Sequence, residues 1–478
     1  MRTRTAIASL CTLPLLVACS SEPRLDLSRE TPESLRGEQL AWEAAHVNAG
    51  NIRQDLDTLA AFGTRHTLSD TESDTRGIGA ARRWLKQRFE EAVVEREPVH
   101  DLEPASVYFD RHTVPADGRR VLEDTEIVNV VCEFPGADPA RAHERVYVIA
   151  HYDSRASGSN DFESDAPGAN DDGSGTVALL ELARCLSELT LPRTVVLMAV
   201  AGEEQGLYGA RAHAAAVADD PNIDVVAVLS NDIIGDPTGP DGRRADDEVR
   251  VFSEGLPAEL FSQGDRALSA VRFIRSLATE HDAASRQLAR YVEETAELLT
   301  DTQHPLPVRP RLIFRPDRFL RGGDHTAFNE VGVPAVRFTE VHENYNRQHQ
   351  DVRVEDGVQY GDLPEYVDED YVAGVARLNL ATALRIASAP PEPTNVRVIT
   401  ARLTNDTTLR WDPVEGAAAY ELLWRATTDH TWTHAMRVGQ DATEATVPLS
   451  KDNWFFAVRS VSDSTDPSLP VIPRPARE

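Results

Sequence analysis

Arg193–Glu204 reads RTVVLMAVAGEE: an unbroken apolar run, Val195–Ala201, that stops on a glycine and two adjacent carboxylates. A run this short cannot span a bilayer as a helix, and it shows no apolar–polar alternation. It reads as a strand buried on both faces. Three more runs share this grammar. RVYVIA (145–150) precedes His151, VVAVLS (225–230) precedes Asn231-Asp232, and VPAVRF (333–338) precedes a polar loop holding His342 and His349. Between and before them lie helical patterns such as NIRQDLDTLAAFG and GIGAARRWLKQRFEEAVV, with apolar residues three and four apart. Strands alternating with helices predict an α/β fold around one sheet.

In such sheets, sites form in the crevice beyond the carboxyl ends of the strands. Each run is followed there by a side chain able to hold a metal: His151, Glu203/Glu204 and Asp232 directly, His349 a loop away. Between two of the runs, GANDDGSG (168–175) puts Asp171 and Asp172 in a glycine-flanked turn ahead of a helix. A solvated turn with a helix cap would account for those two aspartates alone. Five convergent features at one sheet edge point instead to a metal site. Imidazole and carboxylate donors without thiolate suit catalytic zinc and related ions. A carboxylate can also bridge two ions. In HYD, Asp153 is placed to accept the far N–H of His151, and HQD (349–351) repeats the arrangement with Asp351. Glu203 and Glu204 would point in different directions after their strand, so one can ligate while the other moves a proton.

The segments AHYDS, GANDDGSG, AGEEQGLYG, SNDIIG and ENYNRQHQD, in this order, resemble the co-catalytic zinc aminopeptidase family. Glutamate carboxypeptidases and glutaminyl cyclases are relatives of that family. The resemblance covers roughly residues 45–385 and implies a three-layer α/β/α zinc-exopeptidase fold with a mixed central sheet. It also implies two Zn2+ ions. His151, Asp171 and Asp232 would hold one, and Glu204 with His349 would complete the second across a bridging Asp171. Glu203 would be the general base, and Asp172 the cap of the following helix. Asp324 and His325, in GGDHTAF, correspond to a family segment near the substrate pocket, with Gly323 in place of its serine. Tyr345 would either steady the developing oxyanion or simply pack. His213 reads as a helix-surface residue.

The activity this implies is hydrolysis of N-terminal residues from peptides. Arg318 and Arg321 could instead meet a substrate carboxylate, favouring carboxypeptidase-like action. Cyclase chemistry and a non-catalytic surface-binding protein are further alternatives.

Length and charge set the outer limits. A chain of 478 residues is long enough for two domains. Its formal net charge of −29 disfavours nucleic-acid binding through phosphates. Residues 1–18 read as a lipoprotein signal peptide, with Arg2 and Arg4 ahead of an apolar run. Leu16–Cys19 resembles a bacterial lipobox with Cys19 as the lipidated residue. Ser20 and Ser21 then favour the outer membrane of a Gram-negative cell. Residues 19–40 read as a tether, 41–388 as the zinc peptidase domain with a helical insertion at 237–317, and SAPPEPTN (388–395) as a boundary. Residues 394–470 read as a small all-β sandwich resembling a fibronectin type III domain, with Trp411, Tyr420 and WFFAV (454–458) in its core; its partner is not legible. Cys132 and Cys185 could form one disulfide or stay as free thiols.

Overall fold

The computed structural model describes residues 33–94, 104–262, 264–401, 403–463 and 465–477. The stretch read as a signal peptide (1–18) and the expected lipidation residue Cys19 lie outside the described residues. Three helices open the described chain: α1 (Glu33–Ala45), α2 (Ala49–Ala60) and α3 (Gly77–Val94). The polar tether read at 19–40 is therefore corrected over its last residues, which begin α1. Ala41 and Ala44 of that helix are buried against Leu299 and Ala381, so its apolar face is anchored.

One eight-stranded mixed sheet forms the centre. Its strands are β1 (Ser106–Val114), β2 (Thr125–Phe134), β3 (Glu144–His151), β4 (Thr194–Val200), β5 (Asp224–Asn231), β6 (Glu248–Ser253), β7 (Arg309–Ile313) and β8 (Ala335–Glu340), in the order β1-β2-β4-β3-β5-β8-β6-β7. The four apolar runs supply β3, β4, β5 and β8, which pair in parallel as one block. The reason for their continuous apolarity is visible strand by strand. Val146, Val148 and Ala150 of β3 face one core while Tyr147 and Ile149 face the other. In β4 the same division separates Val195, Leu197 and Ala199 from Val196, Met198 and Val200.

The first core is closed by α2, α3, α4 (Gly175–Leu186), α8 (Ala284–Leu298) and α10 (Glu369–Ser388). The second is closed by α6 (Tyr208–Asp219) and α9 (His325–Glu330), with the one-turn α5 (Glu203–Gly206) just before α6. An α-helical layer thus covers each face of the sheet, as expected.

The 237–317 segment is not a helical insertion. It carries α7 (Asp265–Leu277) and α8, but it also supplies β6 and β7 to the sheet, β6 pairing antiparallel with β8. Both strands lie toward one edge, are short, and alternate charged with apolar residues (EVRVFS, RPRLI), which hid them from a search for continuous apolar runs. Cys132 and Cys185 are both free.

After α10, a three-stranded and a four-stranded sheet pack around Trp411, Tyr420, Leu422, Trp424, Phe456 and Val458. They dock on α8 and α10 through buried charges. Arg425 Nη2 donates to Asp282 Oδ1 at 2.6 Å, Arg385 Nε to Asp466 Oδ1 at 3.0 Å, and Arg459 Nη1 to Glu294 Oε2 at 2.9 Å.

Candidate metal centre

β3 lies between β4 and β5: the chain passes from β3 to β4 on one side and from β4 to β5 on the other. This is a switch point of the kind where α/β sheets open a crevice. His151 ends β3 there, and Asp232 follows β5. Gly168 takes a left-handed conformation (φ 50°) and turns the chain into Ala169–Ser174, which carries Asp171 and Asp172 across a cis peptide.

Asp171 occupies the middle of the site. Its Oδ1 lies 3.2 Å from His151 Nε2, and its Oδ2 lies 3.0 Å from His349 Nε2. On the first side, Asp232 Oδ1 is 3.8 Å from His151 Nε2. On the second, Glu204 Oε1 is 2.9 Å from His349 Nε2. Two donor groups therefore share one carboxylate: His151–Asp171–Asp232 and Asp171–Glu204–His349.

These atoms are close without being aligned for hydrogen bonds. His151 Nε2 and Glu204 Oε1 are buried and have no hydrogen-bond partner. Leaving such atoms unmade costs about 1–3 kcal/mol each. Donors that converge on points between them, rather than on one another, fit a divalent cation in each group. Nitrogen and oxygen donors without sulfur fit zinc.

The supports are largely residues that sequence reasoning missed. Asp362 accepts the backbone N–H of Asn170 at 2.9 Å and of Asp171 at 2.7 Å, pinning the loop. Arg65 is fully buried, donating to Tyr152 O at 2.6 Å, to Gly168 O at 2.9 Å and to Pro167 O. It straps the loop to the end of β3. Gln348 Nε2 donates to Asp171 Oδ2 at 3.1 Å. Arg337 Nη2 lies 2.9 Å from Asp232 Oδ1, and its Nη1 2.8 Å from Asp317 Oδ2. Arg337 alone had a readable signal: an arginine inside the apolar run VPAVRF must find a buried partner. It also accounts for Gly323, where a side chain would come within 3.0 Å of Asp232 Oδ2 and 3.1 Å of Arg337 Nη1.

Other expectations need correction. The Asp153 carboxylate lies 3.6 Å from His151 Nδ1, whereas its backbone carbonyl lies 3.1 Å away. The carboxylate instead accepts the Glu203 and Glu204 N–H groups, each at 3.2 Å, holding the start of α5. Asp351 bonds the backbone of Ser157 rather than supporting His349. Asp172 accepts Gly175 N at 3.0 Å but also His151 N at 3.1 Å and Ile233 N at 3.2 Å, so it ties two strand ends as well as the helix. Tyr345 is 58% exposed and outside the cavity wall. His325 is buried beside Pro316 O at 2.7 Å, away from the cavity wall. Asp324 is also buried but stays within electrostatic reach of His151, Asp153 and Asp232, and burial pushes its carboxyl up to about 8. His213, read as a surface residue, is buried.

The cavity beside these groups holds about 520 Å³, and Glu203, Glu204, Asp171, Asp232 and His349 line it. Among the described residues, the Glu203 carboxylate has no hydrogen-bond or ion-pair partner. Burial, then the negative charges of Asp232, Glu204 and Asp324, push it well above the usual carboxylate range. Cations in the donor groups would reverse that balance and favour its ionised form. Burial opposes ionisation of Asp171, but its two imidazole neighbours outweigh burial and hold it well below that range. Burial likewise opposes protonation of His349, and Glu204 with Asp171 overcome it, raising the imidazole to about 10. Five arginines, at 119, 120, 155, 318 and 321, complete the wall.

The profile of peptidase family M28 matches residues 129–254. A protein of Leptosphaeria maculans named "Probable zinc metalloprotease" is 41% identical over 94% of this chain and 99% of its own length. One of that name from Pyrenophora teres is 39% identical over 92% of this chain and 87% of its own. Among solved structures, the LapA aminopeptidase of Legionella pneumophila shares the fold: TM-score 0.50, 22% identity, covering 73% of this chain and 75% of that one. With identity at the level of the fungal relatives running across nearly the whole of both chains, this chain belongs to peptidase family M28 and is a zinc metallopeptidase.

Proposed function

We propose that the chain is an exopeptidase that removes N-terminal residues from peptides, with two zinc ions at the shared-carboxylate site. The observation that carries this reading is Asp171, one oxygen in each donor group, with the unpaired Glu203 carboxylate facing the same cavity. His151, Asp171 and Asp232 would hold one ion, and Asp171, Glu204 and His349 the other. When bound, the ions would activate a water and polarise the scissile carbonyl.

Glu203 takes the proton of the attacking water and returns it to the leaving amine. It can do so because Asp153 fixes its backbone N–H while its carboxylate stays free of hydrogen bonds. The cavity volume suits the end of a peptide rather than a folded chain. That the LapA fold neighbour is an aminopeptidase supports action at the amino end.

A second reading, action at the carboxyl end, is favoured by the arginine wall. Arg318 is already committed, to Glu343 at 2.8 Å. Among the described residues Arg120 donates to Glu204 O at 2.7 Å, and Arg321 donates to Gln348 Oε1 at 3.3 Å and lies 3.7 Å from Glu343, so both guanidiniums retain further N–H donors for a substrate carboxylate. The test is a mass-resolved digest of one short peptide beside its N-acetylated and C-amidated copies, with and without chelator. Chelator-sensitive loss of the first residue, blocked only by acetylation, is the expected result. Loss of the last residue, blocked only by amidation, would move the assignment to a carboxypeptidase.

We further propose a lipid-anchored location outside the cytoplasm, on the Leu16–Cys19 resemblance alone; the two relatives named above are fungal. An acylated Cys19 in the intact mass of the mature chain would support it, and an unmodified Met1 start would sink it.

A further inference from the structure

A second imidazole–carboxylate cluster lies on β1, the outermost strand of the sheet beyond β2. Asp110 and His112 are two residues apart on this strand and so share a face. α6 packs on that face and brings in His213. Asp110 Oδ2 lies 2.8 Å from His112 Nε2 and 2.8 Å from His213 Nδ1. One ligand atom from each of the three falls within 4.8 Å of the other two.

The surroundings hold these groups in place. Asn129 Nδ2 donates to Asp110 Oδ2 at 3.0 Å, which orients the carboxylate. His213 Nε2 meets the Tyr147 hydroxyl at 3.1 Å, leaving Nδ1 turned toward Asp110. Its ring is also packed edge-on against Tyr147, with centroids 5.5 Å apart. A metal-binding histidine usually has the ring nitrogen remote from the metal held by a hydrogen bond, the part Tyr147 would play here for His213 Nε2. The His112 and Asp110 side chains are each 19% exposed, which leaves the cluster open to solvent on one side. A tetrahedral ion at ordinary zinc–ligand distances sets its donors roughly 3.3 Å apart. The cluster would open by about half an ångström to accept one.

We propose that Asp110, His112 and His213 form a separate site for one divalent transition-metal ion of the zinc class. Two imidazoles and one carboxylate favour zinc, nickel or copper over magnesium or calcium, which take all-oxygen sets. The site has a route to the catalytic segment. Asn129 Nδ2 also donates to Gly209 O at 3.1 Å, and its Oδ1 accepts Ala201 N at 3.1 Å. Ala201 and Gly209 bracket α5 with Glu203 and Glu204. The approach is close enough that a side chain at position 209 would meet Asn129 Oδ1 at 2.3 Å. An ion at this cluster therefore stiffens the β1 edge, α6 and, through one amide, the support of α5.

The test counts metal, so its outcome is independent of whether the peptidase reading holds. Purified full-length protein is stripped with chelator, dialysed against Zn2+, and its zinc per chain measured by mass spectrometry. Wild type should hold one equivalent more than His112→Ala. His112 stands on the outermost strand of the sheet, and Asp110→Asn, of unchanged shape, serves as a second variant should His112→Ala loosen the packing. His349→Ala should lower the count independently and additively. Zinc added above the catalytic stoichiometry should raise the Tm of wild type by a few degrees and leave that of His112→Ala unmoved. Equal zinc counts and equal Tm responses in wild type, His112→Ala and Asp110→Asn would overturn the proposal and leave a hydrogen-bonded network only.

Discussion

The two imidazole–carboxylate clusters differ in how their polar atoms are satisfied. Beyond the carboxyl ends of β3 and β4, His151 Nε2 and Glu204 Oε1 are buried and unbonded, although other donors lie within 4 Å. At the β1 edge, Asp110 Oδ2 collects His112, His213 and Asn129 in ordinary hydrogen bonds. The central cluster is arranged for ions at the expense of its own hydrogen bonding. The peripheral one holds its shape with protons alone and can exchange them for an ion. Chelation should therefore strip activity through the first cluster and change mainly stability through the second.

The largest effect expected concerns a residue that belongs to neither donor group. Glu203→Gln keeps the size of the side chain and removes the base. Turnover should fall by about 10²–10⁴-fold or more, with zinc content unchanged. Comparable turnover in a zinc-replete, folded variant would remove Glu203 from the mechanism and require another group beside the central cluster to take the proton.

Next comes the counter-charge. Arg337 is fully buried between Asp232 and Asp317. Arg337→Met leaves two buried carboxylates without it, a loss of about 3–5 kcal/mol in stability. Excess zinc should recover part of this loss, because an ion replaces the lost positive charge at Asp232 but not at Asp317. A Tm within a degree of wild type in metal-free protein would show that the central cluster is not organised by charge.

This residue also marks how far the sequence could be read. The four central strands and the groups that follow them were legible because burial on both faces forces unbroken apolar runs, and because Asp and His at the ends of such runs need a reason to be there. The supports were not legible. Asp362 meets Asp171 from 191 positions away, and Arg65 reaches Gly168 from 103, so no local pattern connects either pair. The peripheral cluster was hidden the same way. His213 looks like a surface residue within GARAHAAA until α6 is laid on β1. β6 and β7 failed for another reason, since a strand near the sheet edge needs only one clean apolar face.

The smallest effect expected is at Tyr345, whose hydroxyl was a candidate for the oxyanion. The ring is exposed, and the Arg321 guanidinium lies 5.9 Å from its centroid. Tyr345→Phe keeps that ring and the stacking while removing the hydroxyl, so kcat and KM should each stay within about twofold, since a cation over an exposed ring contributes only about 0.5–1 kcal/mol and survives the change. A tenfold fall in kcat with KM and zinc content unchanged would mean that the hydroxyl reaches the reacting carbonyl only in the substrate complex. The loop from Glu343 to His349 would then have to move over the cavity while one end stays fixed at a donor group. That would draw a sharper line between the clusters: the central one would be completed by substrate, whereas nothing at the β1 edge depends on a loop of that kind.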